Sequence, residues 1–270
     1  MLSEKNKSIG VLTSIGWTIA FMLINTDALA LPSVQHESLM ENKTPTSGGD
    51  YPSDTLRDRY WQSGRINEAI AVWQQEALVY RSRGRKKEEI ETLLKIAQGY
   101  ISLGKFRLAV VELNKVETLA PSDPKFIATT QRRLGNAYQG LGNDSKAIAF
   151  YKESLKHQRT LPTLNNLVNL LHQRSQDTTD KAKLARQDKD AAKYRTSAKQ
   201  DRTAALTYAR IALNKAQTNQ STSSVRALIE WNNLSQQLDF QQLARGEAIL
   251  LSLPASEEAG YLMLNWAEID

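Results

Sequence analysis

The chain has 270 residues, a net charge of +6 and no cysteine. Without cysteine there is no disulfide framework, thiol nucleophile or thiolate metal site. The three histidines, His36, His157 and His172, stand far apart and show no metal-ligand spacing.

The N-terminus begins with Lys5 and Lys7, followed by an apolar run from Val11 to Ile24 broken only by Thr13, Ser14, Gly16 and Thr18. Ala28-Leu29-Ala30 then supplies the small-x-small pattern of a signal peptidase site. The run falls short of the roughly 20 residues that span a bilayer. Residues 1–30 therefore read as a secretory signal cleaved near Ala30, with an uncleaved anchor as the alternative. The expected location is the periplasm or the outside of the cell, with no stable membrane span after cleavage. Residues 31–52 lack apolar periodicity, carry Thr44-Pro45-Thr46-Ser47-Gly48-Gly49, and read as a flexible linker.

From residue 53 a five-part spacing recurs three times. Tyr60, Gly64, Ala69, Ile70 and Trp73 form the first copy. Tyr100, Gly104, Ala109, Val110 and Leu113 form the second, and Tyr138, Gly142, Ala147, Ile148 and Tyr151 the third. The glycines are spaced by 40 (104 − 64) and 38 (142 − 104) residues. The Tyr lies one turn before the Gly on the inner face of a first helix. The Gly ends that helix in a left-handed conformation that is cheap without a Cβ. The Ala sits early in a second helix and lets the two approach; the aliphatic and bulky residues fill the space between hairpins. Recurrence of this kind implies a stacked helical array, an architecture that binds partners rather than enclosing a reactive pocket. Gly84 falls near the boundary of the first two units.

The pattern resembles the tetratricopeptide repeat, whose unit is about 34 residues. The second copy fits best: Tyr100 to Phe106 reads Tyr-Ile-Ser-Leu-Gly-Lys-Phe, and Pro121 falls where the family ends its unit. The third contains Leu134-Gly135-Asn136-Ala137-Tyr138. The longer period here predicts helices extended by about a turn, at about 3.6 residues per turn. The resemblance implies an all-α, right-handed superhelical solenoid of helix-turn-helix repeats over residues 53–270.

A fourth unit, from Thr163 to Arg174 and from Ala204 to Leu213, is interrupted by a charged insertion at about residues 175–202. Its Ala-rich, mixed-charge composition favours helix. It reads as a longer helical hairpin with solvated faces, or as a basic surface through Lys181, Lys183, Arg186, Lys189, Lys193, Arg195, Lys199 and Arg202, weakened by Asp188, Asp190 and Asp201. Only Tyr194 there could stack on a base, so nucleic acid is not an expected partner. A fifth hairpin, Thr222–Leu238 and Gln241–Leu253, ends at Pro254. A last helix from Ser256 carries Tyr261, Leu262, Met263, Leu264 and Trp266, an apolar ending suited to self-association.

Two residues before the Tyr position lie Asp58, Gln98 and Asn136; aligning the later helices adds Asn166, Asn233 and Asn265. Asn is a poor residue in a helix interior, so its recurrence asks for a reason. A row of amides on the concave side can hold the backbone of an extended peptide through donors and acceptors alike. In the family that this resembles, Asn at this position clamps bound peptide, which implies a peptide groove at Gln98, Asn136, Asn166, Asn233 and Asn265. The alternative is that these amides are hydrated or bond to neighbouring helices. Arg132 and Arg133 beside them would favour an acidic ligand.

No catalytic signature stands out. There is no phosphate-cradling Gly loop and no Gly-x-Ser-x-Gly elbow. Glu88, Glu89 and Glu91 read as a solvated helix face. The expected function is a non-catalytic scaffold that binds a protein or peptide, with no cofactor and no metal. The block from Ala204 to Asp270, with the charged insertion before it, also resembles the front part of secreted bacterial proteins that join such repeats to a caspase-like CHAT domain. That resemblance implies a truncated or regulatory fragment of such a peptidase system, with no catalytic residue to carry over. A third alternative is an envelope or anionic-polymer binder working through the basic insertion.

Overall fold

In the computed structural model, residues 53–119, 122–218, 221–235, 240–254, 256–267 and 269 are described. The expected signal and linker, residues 1–52, lie outside them. Among the described residues all regular structure is helical: α1 (Ser53–Gln62), α2 (Ile66–Ser82), α3 (Lys86–Ser102), α4 (Phe106–Leu119), α5 (Pro124–Gly140), α6 (Asp144–His157), α7 (Leu161–Leu184), α8 (Asp188–Ala216), α9 (Thr222–Ser235), α10 (Phe240–Ser252) and α11 (Glu257–Ala267). All but α11 pack chiefly on their neighbours in sequence; α11 packs mainly on α9, and α3 also touches α5 and α7 touches α9. The described residues form an all-α helical solenoid of five hairpins with a single helix after the fifth.

The hairpin turns follow one chemical plan. Gly64, Gly104 and Gly142 adopt φ of +73°, +68° and +71°. The amide of the next residue donates to the carbonyl of the Tyr four residues before the Gly, from Arg65 to Tyr60, Lys105 to Tyr100 and Asn143 to Tyr138, each at 2.8 Å. These bonds satisfy carbonyls that the helix end would otherwise leave open.

Gly84 completes a fourth copy of this turn. Its φ is +67°, and Arg85 N donates to Tyr80 O at 2.9 Å. The glycine spacing over the first units is thus 20 (84 − 64) and 20 (104 − 84), one helix rather than one hairpin. The downstream pattern repeats as well, with Ile90 and Leu93 where the other copies have Ile70 and Trp73. The Ala position is held by Glu89. The expectation of a solvated face at Glu88, Glu89 and Glu91 fails at this residue: Glu89 is 3% exposed, and its carboxylate accepts from Arg81 Nε at 2.7 Å. It lies on the face that packs toward the preceding helix, as its motif position requires.

Ala69, Ala109 and Ala147 are fully buried, as are Leu113 and Tyr151. Two helical glycines make room for aromatic rings. A Cβ on Gly135 would stand 2.4 Å from Tyr151 Cε1, and one on Gly140 would stand 2.3 Å from Phe106 Cε1. The apolar core forms three clusters: one joins α2 to α5, a second α6 to α9, and a third α8 to α11. Tyr138 packs against both of the first two.

The segment read as an insertion is spanned by α7 and α8, which end and begin at Leu184 and Asp188. They pair through small buried residues, Ser175, Thr178, Ala182, Ala191 and Ala198, and Ser175 Oγ donates to Ala198 O at 2.9 Å. Arg174 holds Asp201 with two bonds, 2.7 and 2.6 Å.

Candidate functional site

The first helices of successive hairpins bring their polar residues to one cleft of about 670 Å³. Asn136 and Gln139 of α5, Asn165, Asn166, Asn169 and Gln173 of α7, Arg226, Glu230 and Asn233 of α9, and Asn265 of α11 line it. Ile101, Phe106, Ile229, Tyr261 and Leu262 give it an apolar part. Four of the five amides named from sequence therefore share one cleft. Gln98 does not join them; it sits half-buried on α3, outside the lining. Asp58, the first of the series, is exposed beside Arg57.

The amides differ in what remains open to a ligand. Asn166 Nδ2 donates to Asn136 Oδ1 at 2.8 Å, tying α7 to α5. The Tyr151 hydroxyl lies 2.9 Å from Asn136 Oδ1 and 2.8 Å from Gln139 Oε1, and its single proton serves one of them. Burial drives the Tyr151 pKa upward, so the phenol stays protonated as a donor. Asn265 Nδ2 donates to Tyr261 O of its own helix at 2.7 Å. Asn233 is exposed. Part of the row thus bonds between helices, as one of the two sequence alternatives held, while Asn136 Nδ2 and Asn166 Oδ1 keep capacity beyond that bond.

Asn165, Asn169 and Glu230 are lining residues that the sequence pattern did not single out. Asn165 Nδ2 donates to Ser223 O at 2.8 Å, and Asn169 Nδ2 donates to Glu230 Oε1 at 3.1 Å, so both tie α7 to α9. Asn165 is 2% exposed and its Oδ1 has no hydrogen-bond partner among the described residues. Glu230 is 8% exposed, and burial raises its carboxyl above the ordinary range against the opposing pull of Asn169 and Arg226. The sequence signal for Glu230 is a carboxylate set inside the apolar stretch Ala227-Leu228-Ile229 and Trp231.

The two arginines expected to set an acidic preference are placed differently. Neither Arg132 nor Arg133 is among the cleft's lining residues. Burial lowers the pKa of both, that of Arg133 to about 10 with Arg132 adding repulsion. The charges that do line the cleft are Arg226 and Glu230.

A second concavity, between α7 and α8, is lined by His172, Asp177, Asp180, Lys183, Arg195 and Lys199 among others. Acidic and basic groups alternate in it, and Lys183 is already paired with Asp180 at 2.8 Å. Among the described residues no group of His, Asp and Glu is placed to hold a metal ion, and no helix is long and apolar enough to cross a membrane.

Residues 133–159 match the tetratricopeptide repeat family model. The match falls on the third copy and takes in Asn136, whereas sequence reading placed the best fit at the second. No curated protein matches the chain. Among solved structures, the chain is similar to nearly identical TPR-like repeats of a putative kinesin light chain from Podosopora anserina: 16% identity, 82% of this chain and 97% of that one, TM-score 0.49. It is also similar to the TPR2AB domain of yeast Sti1 in its pHSP90 complex: 20% identity, 81% and 76% coverage, TM-score 0.42. MamA protein gives 13% identity, 80% and 89% coverage, TM-score 0.41. These matches concern the repeat and not the resemblance to CHAT-linked arrays.

Proposed function

We propose, from the premise that this chain carries a tetratricopeptide repeat within an all-α solenoid, that it is a non-catalytic scaffold holding an extended peptide in the amide-lined cleft. The observation that carries this reading is the convergence of Asn136, Asn166, Asn233 and Asn265, from α5, α7, α9 and α11, on one cleft. Amides at regular intervals match the alternating N–H and C=O groups of a peptide backbone, each able to donate and accept. The apolar patch of Ile101, Phe106 and Ile229 gives a ligand side chain a dry contact. A signal at residues 1–30 would put the encounter outside the cytoplasm.

The test is selection of random dodecapeptides on the full chain, followed by fluorescence anisotropy with the winners. Changing Asn136, Asn166 and Asn233 together to Ala should weaken binding at least about tenfold, or about 1.4 kcal/mol, at unchanged helicity. Equal affinity for both proteins would move the site away from the cleft.

A second reading is favoured by the far end of the array. Leu251 and Leu264 are 76% and 72% exposed, with Tyr261 and Met263 also open. An apolar end of this kind suits a further repeat, a CHAT-type continuation or a second copy. Sedimentation equilibrium of the chain beside a Leu251→Glu, Leu264→Glu variant separates self-association from a monomer.

A further inference from the structure

The cleft holds two acceptors that the protein leaves short of donors. Asn165 spends its Nδ2 on Ser223 O, which fixes the amide's orientation and leaves a buried Oδ1 with no partner among the described residues. Glu230 is nine-tenths buried, accepts from the neutral Asn169 amide, and has no cation within ion-pair distance among the described residues. The nearest one on its own helix, Arg226, lies one turn earlier and donates instead to Glu258 of α11 at 3.2 Å. A desolvated carboxylate whose nearest cation is spent on another carboxylate is expensive, and so is a buried carbonyl oxygen without a donor. Both needs have the same sign.

We infer that the cleft recognises a basic peptide, seating a Lys or Arg side chain against Glu230 while Asn165 Oδ1 accepts a backbone N–H beside it. This rests on the peptide-groove reading above and reverses the acidic preference that Arg132 and Arg133 suggested from sequence. The ligand cation supplies the ion-pair contact that Arg226, held by Glu258, does not make, and the amides to either side hold the main chain. A ligand carboxylate at the same place meets Glu230 with like charge and is rejected, so one buried residue both attracts and excludes. The upward displacement of the Glu230 carboxyl in the free protein fits a site completed by a cation from outside, which would draw it down again.

The experiment uses the immobilised full chain and three pools of N-acetylated, C-amidated nonapeptides. Eight positions are random among uncharged residues, and the central one is Lys, Gln or Glu. Retention is read by mass spectrometry. The expected result is about tenfold more of the Lys pool than of the Gln pool, equivalent to about 1.4 kcal/mol, with the Glu pool lowest. Glu230→Gln should erase the Lys preference, bringing retention of the Lys and Gln pools together. Glu230→Asp, which keeps the charge, should preserve part of it and covers the case in which the Gln variant fails to fold by circular dichroism. Equal retention of Lys and Gln pools by the wild type, or preference for Glu, overturns the inference and leaves the amide groove standing. No retention of any pool overturns both.

Discussion

Gly135→Ala tests the packing beneath the cleft. A methyl at this position would stand 2.4 Å from Tyr151 Cε1 and 2.5 Å from Cδ1. Carbon atoms settle near 3.5–4.0 Å, so the ring must retreat by about 1 Å. Tyr151 is fully buried and its hydroxyl lies against Asn136 and Gln139, so a displaced ring also strains the bond that orients Asn136. Overpacking costs about 1–3 kcal/mol and a lost hydrogen bond about 1, while Ala in place of Gly in a helix returns about 0.8–1. The net expectation is destabilisation by about 1–3 kcal/mol. Gly260 supplies the contrast, since it lies in α11 and a Cβ there meets nothing within 4 Å. Gly260→Ala should stabilise by about 0.5–1 kcal/mol. Urea unfolding followed by circular dichroism measures both. Adding Tyr151→Leu to Gly135→Ala should cost less than the sum of the single changes, because the smaller side chain vacates the clash. Equal stabilisation by the two Gly→Ala changes, or strict additivity with Tyr151→Leu, would refute the packing account.

Gly142→Ala places a Cβ at φ +71° with open space around it, so the loss in urea unfolding should be the backbone term alone, about 1–2 kcal/mol. Glu89→Ala restores the residue of the other three copies and removes a buried carboxylate whose partner Arg81 is more than half exposed. Its thermal midpoint should fall by no more than a few degrees, at about 2–4 °C per kcal/mol for a chain of this size; a larger loss would mean that Glu89 is itself a structural anchor. Glu230 has a folded-state pKa above its unfolded value, so the folded state binds more protons in that interval. Stability should therefore fall as pH rises from the unfolded pKa of about 4.5 through the raised folded one, and Glu230→Gln should remove that slope in urea titrations across pH 4 to 8.

The turns were readable because Gly at φ near +70° and the Tyr before it are local requirements, carried by sequence neighbours. The copy at Tyr80 and Gly84 escaped because its Ala is replaced by Glu89, and a charged residue there looks solvated until Arg81 is seen beside it. The cleft was legible where one residue type recurs at one helical position, as in Asn136, Asn166, Asn233 and Asn265. Asn165, Asn169 and Glu230 were not, because their roles depend on which face of α7 meets α9, a matter decided by the long α7–α8 hairpin between them. Gln98 shows the converse, since it keeps the repeat position and yet stands outside the cleft's lining.

The two ties between α7 and α9 have a kinetic consequence. Asn165 reaches Ser223 across 58 residues and Asn169 reaches Glu230 across 61, while the bond from Asn166 to Asn136 spans 30. Closing a longer loop costs more chain entropy, and non-local contacts form late. The contacts of α7 with α8 are therefore expected to form before those of α7 with α9, and the α5 side of the cleft before the wall that carries Glu230.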